Sequence, residues 1–291
     1  MVTGHRTGRS PRRPLRRLGQ HFLTAPGALA RVVDSIGARE DQRFLEIGPG
    51  RGALTLPLAA TGAWLLAVEM DPLLVQRLRR LTGNAPRLTV LEGDILKADL
   101  PALLNRHLPS DRGVRVVGNL PYSIASPAIL RLLGFGDRFM DLTLMVQREV
   151  ADRILSPPGS RAYGVLTLLC GSRAECVRLL DLGPSAFSPR PAVDSTLLRL
   201  VPRSSPLVSP ADFDSFERVV KAAFSARRKT IRNSLAASAA REPEEAEVWL
   251  RAAGIDPSKR PEEIPLEGYV ALARKCPAAG PTPPRARRRA G

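Results

Sequence analysis

The chain has 291 residues, is 44% hydrophobic and carries a formal net charge of +16, which is enough for one large domain, or a medium and a small one, around a true core. No apolar run approaches the roughly 20 residues of a membrane span, and three cysteines (Cys170, Cys176, Cys276) and three histidines (His5, His21, His107) match no common zinc spacing and read as thiols of a reducing compartment, with no metal. Positive charge in this excess points to a polyanionic partner.

In chain order, residues 1–18 read as a disordered basic arm with Arg6, Arg9, Arg12, Arg13, Arg16 and Arg17 and no acid. No apolar segment follows, as a secretory signal needs, so the expected compartment is the cytoplasm; an organelle transit peptide is the competing reading. Next, strands and helices alternate. RFLEI (43–47), WLLAVEM (64–70), LTVLEGD (88–94), VRVVGN (114–119) and DLTLMVQ (141–147) read as strands. Between and after them, GPGRGALTLPLAAT opens a helix behind a glycine turn, and PLLVQRLRRL (72–81) is amphipathic with proline at its start. SPAILRLLGF and REVADRIL read as further helices. This alternation argues for an α/β fold with a parallel sheet covered on both faces. Ser and Pro cluster in RSSPLVSP (203–210), where a boundary is expected. Beyond it lie only helical patterns: residues 210–238, with a break near Ser225, then EEAEVWLRAAG and LEGYVALARK. Residues 277–291, with Arg285, Arg287, Arg288 and Arg289, read as a second disordered basic segment.

Four strand ends carry the chemistry. LEIGPGRGALT (45–55) is a strand, a glycine turn and a helix start, without the Lys-Ser/Thr of a phosphate loop. The turn, with Gly48, serves either close approach to a ligand or simple chain reversal. About twenty residues on, Glu69 closes the next strand, where an acid accepts bonds from ribose hydroxyls or merely precedes a helix. Asp94 follows the third strand, placed for an adenine amine or for a helix cap. Together the three argue for an adenosine-bearing cofactor at the carboxyl edge of the sheet.

The fourth strand runs into NLPYSIASP (119–127). The Asn119 side-chain oxygen and the Leu120 carbonyl can accept both hydrogens of an exocyclic amine, Pro121 holds the backbone still, and Tyr122 offers a ring to a base. That set suits methylation of adenine N6, whose lone pair is otherwise delocalised into the ring. The bland alternative is an Asn-capped turn with a core tyrosine.

With these pieces assembled, the chain resembles the KsgA-type small-subunit ribosomal RNA adenine N6-dimethyltransferases. The resemblance rests on LGQHFL (18–23), LEIGPGRGALT, VEMDP (68–72), GDIL (93–96), GNLPYSIASP (118–127), MVQREVADRI (145–154), FSPRPAVDSTLLRL (187–200) and AFSARRKTIRNSL (223–235), in family order. It implies a Rossmann-like class I methyltransferase sheet with helices on both faces over residues 19–205 and a small all-helical RNA-binding domain over residues 206–276. It implies S-adenosylmethionine, held by His21, Leu23, Gly48, Glu69, Asp94 and Asn119. His21 stands where the family often has Asn, and Ser123 likewise. The implied substrate is a pair of adjacent adenines in a 3′-terminal hairpin loop of 16S rRNA within an immature small ribosomal subunit, acted on by a monomer with no membrane partner.

By the same resemblance the target base lies between Tyr122 and Phe187; Phe187 reads equally as a core aromatic. Arg227, Arg228, Lys229 and Arg232, on an expected helix, read as phosphate contacts or as a solvated face. Two other functions compete. Erm-type enzymes dimethylate large-subunit RNA but typically read Asn-Ile-Pro-Tyr, and a non-catalytic assembly factor would bind the small subunit without reacting.

Overall fold

A computed structural model describes residues 20–108, 113–226, 228–239 and 241–276. The two expected basic segments, residues 1–18 and 277–291, lie outside the described residues, as does Arg227.

The chain enters through a two-residue strand β1 (Phe22–Leu23) and helix α1 (Pro26–Ile36). It then alternates: β2 (Arg43–Ile47), α2 (Thr55–Ala60), β3 (Trp64–Glu69), α3 (Pro72–Thr82), β4 (Leu88–Glu92), α4 (Leu100–His107), β5 (Val114–Asn119), α5 (Ala125–Leu133), β6 (Phe139–Gln147), α6 (Arg148–Leu155) and α7 (Val165–Gly171). Strands β7 (Ala174–Leu182), β8 (Phe187–Ser188) and β9 (Ser195–Pro202) follow, and helices α8 (Phe213–Ala223), α9 (Ile231–Ala239), α10 (Pro243–Ala252) and α11 (Leu266–Lys275) complete the described residues.

Seven strands form one sheet in the order β4-β3-β2-β5-β6-β9-β7. The five expected strands are parallel. They are mostly apolar because helices cover both faces: Phe44, Leu45, Leu66, Ala67, Val116 and Val117 are fully buried. The α3 start follows its sequence, since Pro72 stands in the first turn and the Asp71 side chain accepts from the Leu73 amide at 2.9 Å.

Beyond the five expected parallel strands, one side of the sheet adds two strands that the sequence reading did not have. β9 runs antiparallel to both β6 and β7. β7 escaped the sequence reading because, as the edge strand, it carries Glu175, Arg178 and Asp181 among its apolar residues. Charges on an edge discourage pairing with another chain and blur the strand pattern.

The order of strands creates the functional crevice. From β2 the chain moves outward to β3 and β4, then returns to lay β5 on the other side of β2. Connections diverge at β2 and β5, and such switch points leave an opening at the carboxyl ends of the strands.

Helices α8 to α11 share a second core, around Phe216, Val220, Leu250, Tyr269 and Leu272. Tyr163, Leu168 and Leu169 from the sheet side belong to the same cluster, and the Tyr163 hydroxyl donates to the Ile264 carbonyl at 2.9 Å. The helical pattern over 210–238 breaks after Ala223, as expected near Ser225, and resumes at Ile231. Among the described residues no helix is long and apolar enough to cross a membrane.

Candidate cofactor and base site

The carboxyl ends of β2, β3, β4 and β5 and the segment around β1 enclose one cavity. The glycine turn after β2 forms one wall. Gly50 has φ +57°, and a Cβ there would stand 2.9 Å from the Phe22 ring, so only glycine lets β1 lie over the turn. Arg51 stacks its guanidinium on the outer side of that ring, 4.5 Å from the centroid. The turn is tied to β3: the Gly48 amide donates to the Val68 carbonyl at 2.9 Å, and the Gly50 amide donates to Glu69 Oε2 at 3.0 Å.

Glu69 is 3% exposed, and its Oε1 accepts from the Asp71 amide at 3.0 Å. Burial pushes its pKa up, while the amides of Asp71 and Gly50 oppose that shift by bonding the charged form. The Met70 amide adds to these two, which still leaves the carboxylate about one lone-pair site for a ligand hydroxyl. Asp94 Oδ1 accepts from the Leu96 amide at 2.9 Å, and the residue lines the cavity.

Asn119 ends β5. Its predecessor Gly118 has no room for a side chain, since a Cβ would meet the Ile47 carbonyl oxygen at 2.6 Å; β5 and β2 therefore approach closely just below the site. Asn119 Nδ2 donates to the His21 carbonyl at 2.7 Å. A carbonyl can only accept, so this bond orients the amide and leaves Oδ1 for another donor. Leu120 turns into the core at 1% exposure and its amide donates to the Met145 carbonyl at 3.0 Å. The Ile124 amide donates to the Pro121 carbonyl at 3.0 Å, closing the turn.

His21 bridges β1 and the loop after β8, with Nδ1 2.7 Å from the Pro189 carbonyl, and its ring sits 5.3 Å from that of Tyr122. The Tyr122 hydroxyl is buried near the Ser195 hydroxyl without completing a hydrogen bond. Burial raises its pKa, which the nearby Ser195 hydroxyl only partly offsets. His21, Leu23, Gly48, Glu69, Asp94, Asn119, Leu120, Pro121 and Tyr122 are thus brought to one cavity.

Phe187 is not on that surface. It pairs opposite Leu23 across the β1–β8 ribbon and is 3% exposed in a core cluster. As folded, its ring offers no free face to a base. The three described members of the basic quartet do not share one helix face either. Arg228 and Lys229 are exposed in the turn between α8 and α9, with Arg228 at φ +70°. Of the three, Arg232 is on a helix, and its Nη1 donates to Glu247 Oε2 at 3.0 Å. Glu247 is shared with Arg251, and those two guanidinium groups hold its pKa below the usual range.

Sequence reasoning passed over Glu46. It is 1% exposed and lines the cavity, and its Oε2 has no hydrogen-bond partner. A signal existed: an acid between Leu45 and Ile47 in a strand buried on both faces must itself be buried.

The donor set fits a nucleoside cofactor with a cationic tail: acids at two successive strand ends, a close-approach glycine turn and an orphaned buried carboxyl oxygen. Comparison with known proteins agrees. The family model for ribosomal RNA adenine dimethylase matches residues 13–274. The chain is 42% identical over 265 residues to ribosomal RNA small subunit methyltransferase A of Geobacter sulfurreducens, covering 90% of this chain and 95% of that one. It is 40% identical over 261 residues to the protein of the same name in Pseudomonas aeruginosa, covering 90% and 94%. Among solved structures, a dimethyladenosine transferase from Plasmodium falciparum has the same fold, with a TM-score of 0.71 at 24% identity over 87% of this chain and 96% of that one. The 23S rRNA methyltransferase ErmE matches with a TM-score of 0.64 at 26% identity, over 87% and 98%.

Proposed function

Because the chain belongs to the ribosomal RNA adenine dimethylase family, we propose that it transfers methyl groups from S-adenosylmethionine to N6 of two adjacent adenines in a 3′-terminal hairpin loop of 16S rRNA, giving dimethyladenosines. The observation that carries the reading is Asn119, whose amide nitrogen is engaged by the His21 carbonyl and whose oxygen is thereby left for an amine, at the same edge as Glu69 and Asp94.

S-adenosylmethionine, when bound, supplies an electrophilic methyl group on a sulfonium. The residues that would hold it are His21, Leu23, Gly48, Glu69, Asp94 and Asn119: Glu69 at the ribose hydroxyls, Asp94 at the adenine amine, and Gly48 where the turn lets the backbone approach. Asn119 Oδ1 and the Leu120 carbonyl accept the hydrogens of the target amine. Their dipoles favour a more tetrahedral nitrogen and stabilise the positive charge that grows on it. Pro121 keeps the carbonyl from wandering, and Tyr122 stacks on the base. No general base is needed, since the amine sheds its proton readily after transfer. A monomethylated amine has one hydrogen left, so one of the two acceptors must tolerate a methyl group. A loop adenine enters such a pocket at lower cost than one in a duplex. Phe187 joins the base pocket only in a state where the β1–β8 ribbon has opened, because its ring is covered as folded.

Residues 206–276 act as the RNA-binding domain beside a catalytic domain of residues 19–205. Arg227, Arg228, Lys229 and Arg232 set affinity and its salt dependence, and pocket and loop shape set which adenines react. The enzyme acts in the cytoplasm as a monomer on an immature small subunit, in small-subunit biogenesis. The small-subunit assignment is supported by 42% identity to an enzyme of that name, against 26% to ErmE.

The test is methyl transfer from labelled S-adenosylmethionine to small subunits lacking the modification, with large subunits as control and the product mapped by mass spectrometry. Dimethyladenosine at two adjacent small-subunit adenines is expected. Label on the large subunit alone would move the chain to the large-subunit class, and particle binding without label would make it an assembly factor.

A further inference from the structure

The Tyr122 hydroxyl is buried near the Ser195 hydroxyl without completing a hydrogen bond. Packing, more than that hydroxyl, therefore sets the plane of the ring. One neighbour is the His21 ring, with centroids 5.3 Å apart and planes tilted by 30°, a separation at which aromatic rings attract. Both residues are half-buried and line the cavity.

The His21 ring is itself held. Nδ1 lies 2.7 Å from the Pro189 carbonyl; a carbonyl can only accept, so Nδ1 carries the proton of that bond. The loop that bears this carbonyl is fixed at both ends. On one side Ser188 pairs with Phe22 across the β1–β8 ribbon. On the other, the Arg148 amide donates to the Asp194 carbonyl at 3.0 Å, and Arg148 Nη1 donates to Asp194 Oδ2 at 3.0 Å. A chain of contacts thus runs from the loop through the imidazole to the tyrosine. The main chain of His21 has a separate task, since its carbonyl accepts from Asn119 Nδ2 at 2.7 Å. That bond needs no particular side chain, and neither ring contact involves Glu69 or Asp94.

We infer that the His21 side chain is a positioning residue for the target adenine: it fixes the tilt of the Tyr122 ring on which the base stacks, while the His21 main chain orients Asn119. This rests on the reading of the turn from Asn119 to Tyr122 as the one that holds the base. What the side chain supplies is preorganisation. A tyrosine ring free to turn must give up that freedom when a base stacks on it, and RNA affinity bears the cost; a ring already braced avoids it. The effect therefore belongs to RNA and not to the cofactor. His21→Asn keeps a donor nitrogen at the branch point of Nδ1, in reach of Pro189, and has no ring for Tyr122. His21→Phe keeps the ring and gives up the link to Pro189.

The experiment is a double-mutant cycle on the whole chain. KM and kcat for small subunits lacking the modification, the affinity for S-adenosylmethionine by calorimetry, and the melting transition are measured for wild type, His21→Asn, Tyr122→Ala and the double variant. His21→Asn is expected to raise KM by about two- to tenfold, the worth of one aromatic pair, with cofactor affinity unchanged. In the Tyr122→Ala background it should raise KM no further, because the ring it acts through is gone. His21→Phe should recover part of the lost RNA affinity. Should His21→Asn not fold, His21→Leu, also without an aromatic ring, takes its place in the cycle. Equal effects of the His21 substitution in both backgrounds, or weaker cofactor binding with an unchanged KM, overturn the proposal and leave the reading of the turn intact. A folded Tyr122→Ala variant with the KM and kcat of wild type overturns that reading and the proposal with it.

Discussion

At the amino ends of the strands, Arg115 on β5 is 6% exposed, and its guanidinium donates to Asp141 Oδ2 at 3.0 Å, Gln42 Oε1 at 3.0 Å and the Ile36 carbonyl at 2.8 Å. At the carboxyl ends of the neighbouring strands, Glu46 and Glu69 are two acids buried near each other, and burial together with the repulsion from Glu69 pushes the Glu46 carboxyl up. One cluster pairs its charge with an opposite one and with backbone acceptors. The other sets two acids together, with the Glu69 carboxylate bonded by the backbone amides of Gly50 and Asp71. Buried charge that serves the fold is neutralised by the fold, whereas charge that serves a ligand waits for it.

The sharpest way to break this contrast is Arg115→Ala. Removing one partner of a buried pair strands the other, so a stability loss of about 3–5 kcal/mol is expected from denaturant unfolding. The folded fraction should bind S-adenosylmethionine as wild type does; a loss of affinity there would show that the amino end also serves the ligand.

Asn119→Ala should do the reverse. With one of two acceptors for the amine gone, kcat should fall by about 10²–10³, while particle binding persists. Its unfolding midpoint should move little, because the His21 carbonyl loses a single, half-buried hydrogen bond.

Glu46→Gln sharpens the contrast through pH. The native carboxyl is raised from 4.5 to about 8, so over that window the native state holds a proton that the unfolded chain has lost, and stability falls as pH rises. The variant lacks this slope. It should match wild type near pH 5 and exceed it near pH 8, by on the order of 1–3 kcal/mol, in urea melts across that range.

The smallest effects are expected at Tyr122. Replacing the ring with Ala should cost about 1–3 kcal/mol of base stacking, seen as a raised KM for RNA. Tyr122→Phe should stay within a few-fold of wild type in both kcat and KM, because the hydroxyl it removes is buried without a completed bond.

Much of this was legible beforehand. The five parallel strands announced themselves as short apolar runs, because a sheet covered on both faces needs no polar alternation. The turn chemistry around Gly48 and the proline-led helix at Pro72 are local rules, and they held. Helices α1, α4 and α7 and strands β7 and β9 went unread. Helices α4 and α7 are short, and β7 is an edge strand whose charges mask its period. In the site, Glu69, Asp94 and Asn119 could be found because each stands at or just beyond the end of a strand, and strand ends meet at one edge whatever the details of packing.

The sequence by itself determined the strand ends, the chemistry at each and the break between sheet and helices, since these follow from local pattern and residue type. The tertiary structure decided the rest. It laid β1 over the glycine turn and sealed Phe187 beneath the ribbon. It turned Arg232 toward Glu247, and it put Glu46 beside Glu69 with an oxygen unsatisfied. These are contacts between segments far apart in the chain, and burial and pairing exist only once those segments have met.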